Sequence, residues 1–337
     1  MKAIVLSKRV KVFLRISCAA LLLFIIFSKV RKFDLADFKT KAYLLAFVAA
    51  SMLNVAQSFL CTFRWGLIQR VFGKPPPFST SIWAYLECGF CNQALPSFIG
   101  GDAVRVLRWC ESGVTAAHAS ASVVFDRAFG ALGAAILALV ACALLRDTDI
   151  ERYKLASVAL LAGGVFGACA AFLLVVRLRT THKWFSRALR LHTFLIAVAD
   201  WRPSGVGIAF FVLLGVVGQV VAGFSVYVLA HALGINLSAP VLVSVTGIIL
   251  LVAMIPISFA GWGVREAAFI TLLVPLGTSS SASLALGVSL GLATLVGSVP
   301  GGISVLFNFA GPPKSNVLHD SHAAKERALG RSGPSRY

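Results

Sequence analysis

Apolar residues run through this chain in blocks separated by short basic stretches. Val12 to Ser28, Ala42 to Phe63, Val123 to Leu145, Leu155 to Val176, Val206 to Ala232 and Ser283 to Phe309 are the predicted crossings, since about 20 apolar residues are enough to traverse a bilayer. No Asp, Glu, Lys or Arg occurs between Arg202 and Arg265 or between Glu266 and Lys314, so each of those runs has room for two membrane segments. In hydrocarbon the backbone must satisfy its own hydrogen bonds, in helices or in a closed barrel, and long uninterrupted runs indicate helices. Two further apolar pieces, Ser81 to Leu95 and Pro240 to Ile255, each run into a break. The helical patterns that resume after them, Ala103 to Val114 and Val264 to Leu276, are too short or too charged to span alone.

The two breaks share a pattern. Pro96-Ser97-Phe98-Ile99-Gly100-Gly101-Asp102-Ala103-Val104-Arg105 and Pro256-Ile257-Ser258-Phe259-Ala260-Gly261-Trp262-Gly263-Val264-Arg265 place Pro, Gly, Val and Arg at matching positions. Paired interruptions of this kind are the sequence sign of broken helices around a midplane site. If each break is a re-entrant hairpin, three full crossings separate the two, and an odd number brings them in from opposite faces. The expected fold is therefore all-α: a polytopic membrane bundle with two re-entrant broken-helix hairpins in an inverted repeat.

Composition agrees with a membrane protein: of 337 residues, 58% are hydrophobic and 13% charged, against roughly 25% charged in a soluble domain. The net charge of +18 sits in the connections, with no nucleic-acid motif beside it, so it reads as topology and a nucleic-acid partner is not expected. With the N-terminus inside, the loops Arg64 to Lys74 and Arg177 to Arg202 and the tail from Lys314 are basic and cytoplasmic, while Arg146 to Lys154, with three basic and three acidic residues, faces outward. The loop Lys29 to Lys41, with five basic and two acidic residues, runs against this assignment. An N-out arrangement would place it inside, at the cost of exporting the five basic residues up to Arg15. The stretch Ile16 to Ser28 resembles a signal peptide but lacks a clear cleavage site, and is read as a first helix. Residues 1–313 form the predicted transmembrane domain, and 314–337 a disordered cytoplasmic tail.

Seven cysteines lie in or beside apolar segments, and only Cys88 and Cys91 have redox-like spacing. One pair falls short of a zinc set, so small buried helix residues are the simpler reading and no metal or cofactor is expected. The GxxxG spacings Gly163 to Gly167 and Gly287 to Gly291 fit either dimerisation or internal packing, leaving oligomeric state open.

Ionisable groups at membrane depth cost roughly 2.5 to 3.5 kcal/mol on insertion scales and tend to face a cavity or a partner. Here they are Glu87, Asp102, Arg105, Asp126, Arg127, Arg265 and Glu266. Asp102, after Gly100 and Gly101, is placed to cap the following helix, with Arg105 in its first turn. That helix end, together with Arg105, would make an anion site whose glycines allow a sharp turn and close approach of a headgroup. Arg265, behind Gly261 and Gly263 and beside Glu266, repeats the arrangement. The bland alternative is structural ion pairing, Asp102 with Arg105, Asp126 with Arg127 and Arg265 with Glu266. Arg64 has two readings, a binding residue or a side chain snorkelling to the interface.

Arg64-Trp65, Asn92-Gln93-Ala94-Leu95-Pro96-Ser97 leading to Gly100-Gly101-Asp102 and Arg105, and Ser122-Val123-Val124-Phe125-Asp126-Arg127 resemble the transmembrane region family of lysylphosphatidylglycerol synthases, the flippase-like half of the bacterial multiple peptide resistance factor. Pro256 through Arg265-Glu266 and Pro300-Gly301-Gly302 complete the resemblance, which covers residues 10 to 310. It implies a bacterial inner-membrane protein with cytoplasmic termini that moves lipids between leaflets, with relatives beside glycolipid, polyprenyl-linked sugar or hopanoid pathways. Only a short tail follows Phe309, so lysyl transfer is not carried over, and Ala260 and Trp262 stand where smaller residues are expected.

The expected function is translocation of an anionic, phosphate-bearing or isoprenoid-type lipid. The alternative is a scaffold or accessory subunit for a glycosyltransferase or lipid-modifying enzyme. A non-enzyme is expected, since the chain has no HExxH motif, no paired-aspartate metal cluster and no nucleophile elbow. It also shows no nucleotide-binding loop.

Overall fold

Helices form where the apolar blocks predict them, and several run further. The computed structural model describes residues 40–73, 75–94, 98–145, 158, 162–167, 169, 189–201, 203–254 and 261–309. The predicted crossing Val12 to Ser28, most of Leu155 to Val176, the loop Arg146 to Lys154 and the tail lie outside the described residues. In chain order the helices are α1 (Lys41–Phe72), α2 (Phe78–Ala94), α3 (Phe98–Cys110), α4 (Ala116–Leu144), α5 (Leu189–Asp200), α6 (Gly205–Ala232), α7 (Ala239–Ala253), α8 (Val264–Leu273), a 3-10 turn Val274–Leu276, and α9 (Ser280–Phe309).

Among the described residues, α1, α4, α6 and α9 are long and apolar enough to cross a bilayer, which makes this a multi-pass membrane protein. Among the described residues, 17% of the most apolar stretch of α1 is fully buried within the protein. Local chemistry sets the starts. The side chains of Thr40, Thr115 and Ser204 accept hydrogen bonds from the N–H groups of Tyr43, His118 and Gly207, capping α1, α4 and α6, each cap contributing about 1 kcal/mol. Pro240 opens α7, where its missing N–H has no intrahelical partner to lose.

Helix α1 corrects one expectation. It does not end at Phe63 but runs on to Phe72, so Arg64 lies inside a helix and is buried rather than looped or snorkelling. The reason is electrostatic, because a carboxylate on α4 neutralises it.

The short helices α2 and α3 pack on each other across the first break, and α7 and α8 across the second. At 1.5 Å rise per residue, the longest of them extends only about 26 Å, short of the ~30 Å hydrocarbon core. The two breaks take different backbone forms. Gly100 and Gly101 lie inside α3, which begins at Phe98, so they do not turn the chain and Asp102 is not the cap. Gly101 serves packing instead, since a Cβ there would collide with Asn92 and the Cys88 carbonyl of α2. Gly261 and Gly263, by contrast, have φ of 78° and 85°, left-handed backbone that favours glycine. Gly263 precedes α8 and donates its N–H to Glu266 Oε2 at 2.5 Å.

Small residues bring the long helices together. Gly133 of α4 faces the backbone of Gly215 on α6, and a Cβ on Gly215 would strike the Phe129 carbonyl. Gly301 and Gly302, after Pro300 within α9, similarly admit the Leu86 backbone and the Phe90 ring of α2. Gly287 and Gly291 pack against α8, which makes that GxxxG pair internal, whereas Gly163 and Gly167 face open space among the described residues. Three apolar clusters fill the rest among the described residues, the smallest of them Trp65, Ala84 and Val123. Val226, Leu229, Leu242, Ile249, Phe269 and Leu286 join α6 to α9, and Phe125, Phe129, Trp201 and Phe211 form an aromatic cluster where Phe125 stacks on Trp201 at 3.9 Å.

Gly215→Val should force α4 and α6 apart and lower stability by about 1–3 kcal/mol, the usual range for overpacking. Thermal denaturation of the purified protein in mild detergent measures it, and an unchanged midpoint would contradict the backbone contact.

Candidate functional site

Asp126 on α4 is 1% exposed and holds two arginines. Arg64 of α1 donates through Nε to Oδ1 at 2.8 Å and through Nη2 to the Asp126 carbonyl at 3.1 Å. Arg105 of α3 donates through Nη2 to Oδ2 at 2.7 Å. Asp102 turns from Arg105, whose Nη1 lies 3.6 Å away, and takes Arg127 through Nε and Nη2 at 3.0 and 2.9 Å. Of the pairings expected from sequence, Asp102 with Arg105 is present as the longer ion pair at 3.6 Å, whereas Asp126 pairs with Arg64 and Arg105 and not with its neighbour Arg127. Asp126 finds its partners across helices because α1, α3 and α4 meet here.

Arg105 is 0% exposed and sandwiched between the Trp65 and Tyr85 rings, its guanidinium carbon 4.3 and 4.5 Å from their centroids. Trp65 is held in turn by its indole N–H on Ser122 Oγ at 3.0 Å. Arg105 is therefore sealed behind the wall and does not present its charge to a ligand, correcting the role expected for it.

Beside this network lies a cavity of about 280 Å³. Arg64, Arg127 and Arg265 line it, with Asp126 the one carboxylate among its described lining residues. Both breaks border it, the first through Gln93 near the end of α2 and the second through Gly261 and Arg265. Arg265 donates from Nε and Nη2 to Glu266 Oε1 at 3.0 and 2.6 Å and lies 4.7 Å from the Trp262 ring. Its Nη1 donates to no described residue. Gly291 makes room for this guanidinium, because a Cβ there would overlap it, and Gly130 and Gly215 leave space beside Arg64. Across the network four guanidinium groups meet three carboxylates, Asp102, Asp126 and Glu266. Asp126 is the carboxylate that two of them, Arg64 and Arg105, share.

Glu87 lies elsewhere. It is buried on α2, bidentate with Arg108 of α3 at 2.9 Å, and accepts from Ser304 of α9 at 2.6 Å, tying three helices together away from the cavity lining. Gly100 and Gly101 are likewise absent from that lining, and Gly263 contributes through Glu266. No group of three His, Cys, Asp or Glu comes together as a metal site among the described residues.

Sequence reasoning passed over the polar face of α1. Asn54, Gln57, Cys61 and Arg64 all line the cavity, and their spacing of three, four and three puts them on one helical face. Gln219 on α6 and Thr246 on α7 were also missed, single polar positions in runs otherwise read as crossings.

The sequence model described as the lysylphosphatidylglycerol synthase TM region matches residues 12–301. The chain belongs to that family. The match spans both breaks and every residue of the charge network, so this is a membrane protein of a lipid-handling family. Comparison with curated proteins returned no match.

Asp126→Asn leaves two buried guanidinium groups short of a counter-charge, and should destabilise the protein by about 3–5 kcal/mol. Adding Arg105→Met should recover part of that loss, which a double-mutant cycle of detergent melts would read as coupling. Strict additivity of the two changes would show that the pair is not linked.

Proposed function

We propose that this protein is a flippase-like translocase that carries a lipid with an anionic, phosphate-bearing headgroup between leaflets. The observation that carries the reading is the cavity wall: its described charged lining residues are three arginines and one carboxylate, and that carboxylate is already doubly paired. A guanidinium with an N–H left to donate in a low-dielectric bundle complements an anion. Arg265 is the residue assigned to hold the headgroup, since Glu266 fixes its Nε side and leaves Nη1 to a ligand. Arg127, whose side chain is 38% exposed, is the second contact, oriented by Asp102. Arg64 completes the wall, and Arg105 acts by holding Asp126.

The two breaks serve, in this reading, as re-entrant half-helix pairs whose ends meet at the cavity, with both chain termini in the cytoplasm of a bacterial inner membrane. The substrate's chains stay in the surrounding lipid while the headgroup passes through the polar space. The protein makes and breaks no covalent bond and needs no cofactor.

Leaflet exchange of tail-labelled phosphatidylglycerol in reconstituted vesicles tests this. Arg265→Ala should slow exchange at least tenfold. Gly291→Ala, which leaves the charge but displaces the guanidinium, should slow it by a smaller factor. Exchange equal to protein-free vesicles in the wild type, or wild-type rates in Arg265→Ala, would rule the reading out. If both variants also preserve the protein's function in cells, a supporting role for a glycosyltransferase or other lipid enzyme takes its place.

A further inference from the structure

The polar wall of the cavity distinguishes among anionic headgroups by which hydrogen-bonding groups it has left to offer. Gln219 donates its amide N–H to the Gly130 carbonyl at 3.0 Å, which fixes the orientation of the amide, and its Oε1 is buried without a donor. Asn54 likewise donates to the Ala50 carbonyl at 2.9 Å, and its Oδ1 accepts from no described residue. Gln93 Oε1 is also buried without a donor. Thr246 and Thr294 give their hydroxyl protons to Leu242 and Leu290 at 2.7 and 2.8 Å, leaving oxygen lone pairs. The wall therefore holds two amide oxygens, of Gln219 and Gln93, that are buried without a donor. A buried carbonyl oxygen left unmatched costs on the order of 1–3 kcal/mol, so a ligand that brings donors to this wall gains on both sides.

Charge decides what kind of donor fits. An ammonium group would supply N–H donors, but the one carboxylate on the described wall has both oxygens engaged by Arg64 and Arg105. It would also lie among the guanidinium groups of Arg64, Arg127 and Arg265, and like charges repel strongly in a medium of low dielectric constant. Hydroxyl groups supply donors without charge. Size narrows the choice again, because about 280 Å³ lies just below the range of ligand sites, which run from about 300 to 1,000 Å³.

Resting on the translocase reading, we propose that this cavity selects a phosphodiester headgroup bearing hydroxyl groups, a polyol or a single sugar, and discriminates against aminoacylated and other amine-bearing headgroups. The phosphate sits with Arg265 and Arg127, and the hydroxyls donate to Asn54 Oδ1 and Gln219 Oε1 after small side-chain rotations. The cavity thereby disfavours a lysyl-bearing lipid, the product in the family's printed name.

Soluble methyl phosphodiesters test the selection without requiring transport. Titration calorimetry on the purified full chain compares four that share the phosphate and differ in the second ester group: methyl, glyceryl, glucosyl and aminoethyl. The glyceryl or the glucosyl ester should bind at least tenfold more tightly than dimethyl phosphate, and the tighter of the two tells polyol from sugar. The aminoethyl ester should bind more weakly than dimethyl phosphate. Asn54→Leu, which gives up only a bond within its own helix, and Gln219→Leu should each reduce the hydroxyl advantage, the ratio of glyceryl or glucosyl to dimethyl phosphate affinity, at least threefold. Equal binding of the hydroxylated and dimethyl esters, aminoethyl binding as tight as glyceryl, or no binding of any ester would overturn the proposal. Hydroxyl preference without lipid exchange in vesicles would sink the translocase reading alone. Lipid exchange indifferent to the headgroup would sink the selection alone.

Discussion

A single carboxylate organises the polar half of this protein. Asp126 accepts from Arg64 on α1 and Arg105 on α3, so three helices are bound at one buried point on α4. Burying an ion is expensive, and a pair repays that expense only when both partners are held in good geometry. Here the geometry is supplied by packing: Trp65 and Tyr85 clasp Arg105 from two sides, and Ser122 fixes Trp65. The network is thus anchored at its sealed end, at Arg105, while Arg64, Arg127 and Arg265 reach the cavity. That gradient from rigid to available charge is what separates a structural ion pair from a binding wall.

The helices themselves were legible in the sequence because apolar runs of this length have few alternatives in lipid. Ala42 to Phe63, Val206 to Ala232 and Ser283 to Phe309 fall within observed helices, as does Val123 to Leu145 but for its last residue, which caps α4. Their ends were less legible, since charge was read as exit from the membrane. Arg64, Asp126 and Arg127 carry charge inside long helices because partners on other helices neutralise it. Partner choice was illegible for a similar reason. Asp102 and Arg105, three residues apart, do pair along one helix at 3.6 Å, but the closer contacts cross helices: Arg127 offers Asp102 two donors and Asp126 is the better-buried acceptor for Arg105.

The likeness between the two breaks was visible, but its meaning was only partly so. Matching glycines do different things: Gly101 lets α2 and α3 touch, while Gly261 and Gly263 turn the chain with left-handed backbone. Matching arginines do too, with Arg105 a buried strut and Arg265 a wall residue. The polar stripe from Asn54 to Arg64 could have been found, because residues at positions 54, 57, 61 and 64 share a helical face. It was overlooked because only ionisable groups were followed, and uncharged amides in an apolar run carry the same message.

Glycine placement explains how a bundle this closely packed keeps an internal space. Gly133 against Gly215 and Gly301 against Leu86 draw the helix backbones together at their crossings, which leaves side chains elsewhere to hold the helices apart. Along α6, Gly215, Gly218 and Ala222 present almost no side chain to the cavity, and Gln219 supplies its polar edge. Arg64 and Arg265 then extend into room that glycines vacate, at Gly130, Gly215 and Gly291. The same small residues therefore serve two purposes. They provide the close contacts on which association depends where lipid supplies no hydrophobic drive, and they clear the volume into which the guanidinium groups of Arg64 and Arg265 extend instead of being packed against another helix.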